Sequence, residues 1–523
     1  MKLQYFNGGL NIRKAPELIA VNEAIICKNV DTTTGQLKSS KGLSQASITS
    51  IDRPYYFETE SKWFANADTR DYLEYQGKIY YTDGITPKKV YSGYTQDLGI
   101  TGPIVAPTLT GGTAHIADVT DTVQYVYTYY NTTDGTESEP SPISDEIDMY
   151  TDLAEGLDTS TSVHVNIVAS TDSQVTNIIL YRIGGTFLSF NKVVELSNTT
   201  TEYLDYIAAA DLAIVTLTSS YNGKPPAGLK YLTAAYSGFL GAVGPKLYFT
   251  DDSGNPNYWP ETNYINFHAT IIGIGVISTG IVVFTYYQTY LLSGTSSNTF
   301  VKYIISGTQG CINHKTIKFN GETLVFISTD GICSITNNKV EVVSKFKLGK
   351  QTYSTINAVV HDEVYYCQLL DGSLICLDLR YEPSIKTFDF SSLWLVVAED
   401  KLYAQTVDGL YEMFAGSDVT YEYSTGNMSD SVTIAKNGTS VSTALSEIKL
   451  YNDIYVYASG SHTMTIYINE VQVAIRTITG SVTPIQINVP QEYQMGSSIR
   501  FYLTGKGTIK EIEYKPLKRD NGR

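Results

Sequence analysis

The stretch GETLVFISTDGICSI, residues 321–335, decides how this chain is read. A turn opens it. Five residues of β-branched and apolar character follow, then an Asp-Gly turn and a second apolar run. Such a sequence is a hairpin, because Asp and Gly tolerate the backbone of a tight turn and the flanking residues suit a pleated surface. The same layout recurs in QGKIYYTDGITPKKVY (76–91), GPKLYFTDDSGNPNYW (244–259), GIVVFTYYQTYLLSG (280–294), DEVYYCQLLDGSLICLDL (362–379) and EDKLYAQTVDGLYEMF (399–414). The last four copies start about 40 residues apart, the period of a propeller blade. One hairpin cannot bury its apolar face alone, whereas copies set around an axis cover one another. The reading is all-β, with a six-bladed β-propeller.

Composition agrees. Tyr occurs 42 times among 523 residues. Its ring packs on a half-buried sheet while its hydroxyl stays wet. No long amphipathic helical pattern is present. The run IIGIGVISTGIVVF (271–284) is short for a membrane helix and reads as two adjacent strands. Gly273 and Gly275 in it belong to a strand rather than a nucleotide loop, since no helix follows. The start, MKLQYFNGGLN, offers no apolar secretory stretch. The five cysteines, Cys27, Cys311, Cys333, Cys367 and Cys376, form no C-x-x-C and read as reduced, buried thiols.

Spacing also divides the chain. Between the first and second hairpins lies a domain's worth of extra sequence. VQYVYTYYNTTDGTESEPSPIS (123–144) and VTNIILYRIGGTFLSFNKVVELSNTTTEYLDY (175–206) are short alternating strands. They predict an inserted, fibronectin III-like β-sandwich at 105–220. The blades occupy 44–104 and 221–416. After 416 the period stops. Segments 447–460, 463–478, 484–490, 498–505 and 508–517 predict five strands joined by hairpin turns in a C-terminal β-sandwich, 417–523. Residues 1–43 stand apart as a docking segment. Gly8, Gly9 and Gly35 mark tight turns, Pro16 can open a helical turn, and 22–30 can be helix or strand. Leu10, Ile19, Ile25, Ile26 and Val30 have no local partner strand, so this segment must cross more than one domain to bury them.

Reactive constellations are thin. The six histidines, His115, His164, His268, His314, His361 and His462, show no metal-ligand spacing. Cys311 and His314 in GCINHK read as part of a blade-connecting strand. Asp251, Asp252, Asn255 and Asn257 form an acidic turn that lacks the calcium-loop pattern. NTTDGTESEP (131–140) reads as an exposed hairpin. Asp330, Asp371 and Asp408 precede glycines in hairpin turns, where a carboxylate satisfies local backbone donors. No P-loop, nucleophile elbow or paired-carboxylate pattern appears. No catalytic, cofactor-binding or metal residue is assigned, and the expectation is that the chain is not an enzyme and uses no cofactor. The net charge of −16 opposes a protein that clasps nucleic acid from outside. Lys88-Lys89, Lys345–Lys350 and the tail Lys515–Arg523 are the local basic candidates.

The N-terminal segment carries a further pattern. F-x-G-G-L-N spans Phe6 to Asn11 and P-E-L-I-A-x-N-E-A spans Pro16 to Ala24. N-V-D-x-x-x-G-x-L spans Asn29 to Leu37, and K-G-L spans Lys41 to Leu43. In this order the elements resemble the tail hub or nozzle proteins of short-tailed bacteriophages, also described as tail tubular protein B or packaged-DNA stabilization proteins. The resemblance implies a structural virion protein, made in the host cytoplasm and built into the short tail. It implies a homo-hexameric ring below the portal and its adaptor, next to tail fibre or needle proteins. Packaged DNA would be retained by the ring and would pass its six-fold axis at ejection without sequence-specific contact. No membrane span is expected. The alternative reading is a propeller-based glycan-binding or glycan-degrading protein.

Overall fold

The computed structural model describes residues 2–518 apart from 47–51, 66–69, 92–93, 112–118, 152–161, 210, 237, 252–253, 297–298, 322, 381–382, 429–448 and 481–482. The protein is all-β. Among the described residues the one α-helix is a single turn, Lys345–Leu348. No helix is long and apolar enough to cross a membrane. The chain divides into two compact units. Unit 1 comprises Met1–Asp68, Ile272–Leu292 and Lys302–Arg523, and unit 2 comprises Thr69–Ile271 and Ser293–Val301.

Unit 2 holds two four-stranded antiparallel sheets. One runs through Asp71–Tyr75, Lys78–Thr82, Lys88–Tyr91 and Tyr94–Asp97, the other through Lys230–Ala235, Gly238–Val243, Lys246–Phe249 and Tyr264–Asn266. In the second sheet the hairpin partner of Lys246–Phe249 is Tyr264–Asn266 and not the NPNYW stretch expected from sequence. Asn255 and Asn257 are instead in a side-chain-locked turn, with the Asn257 backbone N–H and side-chain amide both donating to Asn255 Oδ1 at 3.0 Å. Between these sheets in sequence lie eight further strands. A three-stranded set (Thr108–Thr110, Val163–Asn166, Glu202–Asp205) and a five-stranded set centred on Val119–Asn131 and Asn177–Gly184 share one core of Tyr125, Tyr127, Val163, Val165, Ile178 and Leu180.

That core contains a charged centre. Arg182 and Asp205 are almost fully buried and 2.6 Å apart, and the Tyr125 hydroxyl donates to the same carboxylate at 2.8 Å. Two charges survive there because each is paired and the carboxylate is hydrogen-bonded as well. The 131–140 stretch is a hairpin with an exposed tip, as its composition suggests, but its acids Asp134 and Glu137 are engaged. Asp134 lies 2.6 Å from the buried ammonium of Lys89, and Glu137 accepts from the hydroxyls of Thr128, Tyr181 and Ser219.

Unit 1 holds most of a third four-stranded antiparallel set (Ile271–Ile277, Gly280–Thr285, Thr289–Ser293, Val301–Ser306) and the whole of three more, two of them separate sheets and one part of a larger sheet. The fourth is Lys318–Asn320, Thr323–Ser328, Gly331–Thr336 and Lys339–Val342. The fifth, Thr355–His361, Val364–Leu369, Ser373–Asp378 and Ser384–Asp389, is one end of a 15-stranded sheet that continues through Glu23–Lys28 and Tyr421–Thr425 into the C-terminal strands. The sixth is Trp394–Ala398, Lys401–Thr406, Gly409–Glu412 and a strand from the far N-terminus. The hairpins quoted from 280–294, 321–335, 362–379 and 399–414 are therefore adjacent paired strands. Asn337-Asn338, Asp362-Glu363 and Glu399-Asp400 all take positive φ at both positions, the backbone that two-residue hairpin turns require.

The C-terminal strands differ from expectation. Residues 447–460 and 463–468 are not separated by a turn but form one 20-residue strand, Lys449–Ile468. Likewise 498–505 and 508–517 are one strand, Ile499–Lys518. The two pair along their whole length. The real hairpin turn is Asn469-Glu470, both at positive φ, and it splits the 463–478 stretch read as a single strand. Gly460 faces Gly507, and Gly505 faces His462. A Cβ on Gly460 would meet Lys506 O at 2.3 Å, so glycine lets the two backbones close on each other there. The halves of this ribbon on either side of the glycines contribute Ile454 and Val456, and Met464 and Ile466, to a single core. These strands are all members of one continuous sheet rather than two separate ones.

Candidate functional site

The N-terminal motif is spent on a strap of six short strands in unit 1: β1 (Lys2–Leu3), β2 (Gly9–Leu10), β3 (Glu23–Lys28), β4 (Val30–Asp31), β5 (Leu37–Ser39) and β6 (Ser44–Gln45). Strands β1 and β5 pair with Ile499–Lys518. Strand β3 lies between Tyr421–Thr425 and Ser384–Asp389, and β6 completes the sixth four-stranded sheet beside Gly409–Glu412. The segment 22–30 is thus strand. A bulge between Ala24 and Ile26 turns Ala24 and Cys27 to the same core. Leu3, Phe6, Val30 and Leu37 join them, fully buried, whereas Leu10, Ile19, Ile25 and Ile26 are only half-buried.

Each motif residue has a local task. Gly9 sits at φ +71, and a Cβ there would meet Ile385 N at 2.7 Å. Gly8 N donates to Asn22 O and Asn11 N to Ala24 O. Glu23 is the polar hub. It accepts from Lys347 Nζ at 2.7 Å, from Asn11 Nδ2 at 2.7 Å and from Ala20 N at 3.0 Å. Burial alone would raise its pKa, but the Lys347 ammonium and the two amide donors outweigh that and hold the carboxyl below its usual range. Lys347 also donates to Gly8 O at 2.7 Å. Asn29, itself at positive φ, donates from Nδ2 to Thr420 O and accepts from Asp389 N.

Beside the strap, still within unit 1, a cleft of about 630 Å³ opens. Its floor is one face of three paired strands. Val364 and Tyr366, then Asp378 and Cys376, then Ser384, Lys386 and Phe388 stand in register on that face. The walls come from β4, β5, Lys41, Phe414, Asp418 and Gly507-Thr508. Phe388 and Phe414 meet edge to face at 5.3 Å, and Tyr366 lies 6.0 Å from Phe414. Arg380 clasps Asp378 through Nε and Nη2 at 3.0 and 2.7 Å, and Lys41 pairs with Asp418 at 2.7 Å. Asp31 accepts from the Thr33 backbone and hydroxyl. Lys38 and Lys386 have no carboxylate within ion-pair distance among the described residues.

The residues singled out in the sequence disperse. All five cysteines are buried and unbridged, and burial pushes the thiols of Cys27, Cys311, Cys333 and Cys367 up to about 12 and that of Cys376 well up. Such thiols are inert at neutral pH. Cys311 donates to Asn313 O, and His314 opens a 3₁₀ turn, His314–Thr316, where a strand was expected. His462 is buried, accepting from the Tyr421 hydroxyl and facing Ser459 O at 2.9 Å, and burial lowers its pKa. Of the turn aspartates, Asp371 accepts from Ser373 N and Oγ as expected. Asp330 does otherwise and binds Lys350 at 2.7 Å and Gln309 Nε2 at 2.9 Å. Asp252 lies outside the described residues. Asn257 Oδ1 is taken by Lys89 and Gly99 N.

The basic candidates are largely neutralised. Lys88 pairs with Asp97, Lys89 is buried against Asp134, Lys347 serves Glu23 and Lys350 serves Asp330. Lys515–Lys518 belongs to the paired strand Ile499–Lys518 rather than to a frayed tail, and 519–523 lie outside the described residues. One grouping was invisible in sequence. His361, Asp362 and Asp400 converge within 4.8 Å where two hairpin turns meet, with His361 Nε2 at 3.0 Å from the Asp400 carbonyl oxygen. Its two carboxylates are exposed. Sequence reasoning also missed Lys38, Ser384 and Lys386. The only available signal was the alternation Ser384-x-Lys386-x-Phe388, which grades one strand face from polar to apolar.

No family model matches the chain, and no curated protein matches it. Solved structures similar to parts of it include BamB from Moraxella catarrhalis, 14% identical over 50% of this chain and 92% of that one, TM-score 0.26. The WD40 β-propeller domain of Doa1 is 9% identical over 65% and 88%, TM-score 0.25. An exo-β-1,3-galactanase from Phanerochaete chrysosporium is 9% identical over 90% and 100%, TM-score 0.20. Likeness at this level carries no argument for a shared activity.

Proposed function

We propose that this chain is a structural subunit of a short phage tail, a nozzle or hub protein that forms a hexameric ring below the portal and adaptor. In this reading the five four-stranded sheets and the four-strand run Thr355–Asp389 at the end of the larger sheet are the blades of one propeller. The two sheets at 108–205 are an inserted sandwich, and the bent ribbon after residue 417 is the C-terminal domain. The ring retains packaged DNA and conducts it at ejection, and the chain has no catalytic role.

One observation supports this above the rest. The residues that carry the resemblance are committed to docking the N-terminal strap. Gly8, Gly9, Asn11, Glu23, Asn29 and Gly42 each bond or abut a distant backbone or side chain. A motif built for a permanent scaffold suits a structural virion protein, whose subunits withstand load and do not turn over substrate. The test is a negative-stain class average together with a native mass of the purified chain, alone and mixed with tail components. A closed six-fold ring, or incorporation into tails, is expected. A lone particle that binds or cleaves glycans would overturn the proposal in favour of a glycan-active propeller.

A further inference from the structure

We propose that the two ends of the four-stranded sets in unit 1 are the two halves of a head-to-tail contact between copies of this chain. The end around Lys345 and Phe346 of one copy takes the acidic turns at the opposite end of the next. This deepens the ring-subunit reading and rests on it for closure of the assembly.

The two ends differ in kind. Between the first and second strands of the third, fifth and sixth sets stand Ser278-Thr279, Asp362-Glu363 and Glu399-Asp400, all polar. The turns between second and third strands lie at the other end. There the same sets expose Tyr286-Tyr287, Leu370 and Val407, the last with 81% of its surface in solvent. The fourth set adds Phe346, 71% exposed on the helical turn that follows it. Turn tips ordinarily carry polar residues, and apolar residues exposed together mark a contact surface. This end is also continuous from set to set. Cys311 N donates to Thr285 O, Gln309 and Lys350 both bind Asp330, Leu370 N donates to Ser354 O, and Ser392 N donates to Gly372 O.

Charge names the occupant. Arg13, Lys14 and Lys345 are exposed and have no carboxylate within ion-pair distance among the described residues. The strap holds them beside Phe346. Ile12 N and Arg13 N both donate to Lys347 O, and the Arg13 guanidinium lies 5.5 Å over the Phe346 ring. Asp330 is taken by Lys350, Glu23 by Lys347, and Asp371 by its own Ser373. The acids left at this end, Asp52 and Asp408, flank the sixth set. At the opposite end Asp362, Glu363, Glu399 and Asp400 are exposed, with no lysine or arginine at ion-pair distance among the described residues. Lys401 is held by Glu412, and His361 stands 3.6 Å from Asp362. His361 Nε2 also lies 3.0 Å from Asp400 O, which joins the two acidic turns in one patch.

The two patches do not meet within one chain. The strand Thr355–His361 runs from the basic end to the acidic turns, and its 7 residues span roughly 20 Å. At that separation salt screens one patch from the other. A second copy gives each patch its complement and covers the apolar tips. Complementary patches at two different places on one chain make a heterologous contact, the kind from which rings are built.

The experiment is sedimentation velocity of the full chain. Assemblies larger than a monomer are expected at about 50 µM protein in 0.1 M salt, at least 10-fold weaker in 1 M salt. Arg13→Glu/Lys345→Glu should weaken assembly at least 10-fold, and so should Glu363→Lys/Glu399→Lys. Both glutamates already sit at positive φ, so lysine brings no new strain. A chain that carries all four substitutions should regain assembly, and all variants should melt as the native chain does. A native chain that stays monomeric overturns the proposal. So does assembly that either charge swap leaves intact, or a fourfold variant that does not recover. A closed ring that survives the swaps overturns this contact and leaves the ring reading in place. An open string of copies that the swaps break keeps the contact and overturns the ring.

Discussion

Glu23 shows how one residue ties a local turn to a distant element. Its carboxylate caps the Ala20 turn, holds Asn11 across the strap and meets Lys347, 324 positions away in sequence. Because its folded pKa lies below the unfolded carboxylate value, the group contributes stability that is full above that value, near pH 4.3, and is lost as pH falls through the folded pKa. Lys347→Met should leave a buried carboxylate with amide donors only. It should cost about 2–4 kcal/mol near neutrality, and the difference from the native protein should shrink as pH falls through the folded pKa of Glu23, where the native carboxyl takes up its proton. Urea melts at pH 7 and pH 3.5 check this, and an equal loss at both values would contradict it. Gly9→Ala belongs to the same scale. With φ at +71 and the Ile385 backbone 2.7 Å from the new Cβ, it should destabilise by at least about 2 kcal/mol, read in the same melts.

At the scale of elements, the strap and the long ribbon depend on each other. Among the described residues, strands β1 and β5 have no strand partner but Ile499–Lys518 and the short neighbours within the strap. Burial of Leu3, Phe6 and Val30 contributes on the order of 5–9 kcal/mol before chain entropy is counted. That is comparable to the whole stability of a domain. Deleting residues 1–30 should therefore yield insoluble protein or protein without a cooperative melt. Unchanged melting would show that the C-terminal sheet closes without its N-terminal strands. The expected burial of Ile25 and Ile26 was misplaced because the Ala24/Ile26 bulge shifts the alternation by one residue, which no local pattern announces.

For the whole molecule the deciding quantity is charge. A chain at −16 repels a polyanion at long range, and Lys88, Lys89, Lys347 and Lys350, which could offset this locally, are tied up in ion pairs. The purified protein should bind duplex DNA more weakly than roughly 100 µM at 0.15 M salt. Such behaviour fits a conduit past which DNA slides. Tight binding with a steep salt dependence, measured by fluorescence anisotropy, would replace the proposed conduit with a true DNA-binding surface.

The sequence by itself determined where most strands and turns lie. Hairpins such as 321–335 and 399–414 are set by β-branched and apolar runs and by a glycine, Gly331 or Gly409, that accepts positive φ, and those preferences act over a few bonds. The Gly184-Gly185 turn between Asn177–Gly184 and Phe187–Ser197 was legible for the same reason. Only the tertiary structure decided the rest. Gly460 and Gly505 look like turn residues, yet they mark the close approach of two 20-residue strands, because the partner that needs their missing Cβ is some 45 residues away. Lys89 looks like a surface cation and is buried, because Asp134 and Asn257 arrive from elsewhere in the chain to meet it. The cleft is of this second kind. Lys38, Ser384 and Lys386 carry no motif, and they converge because β3 pairs beside Ser384–Asp389 and brings the strap across that face. Local backbone preference is written residue by residue, whereas the pairing of distant segments is a property of the folded chain as a whole.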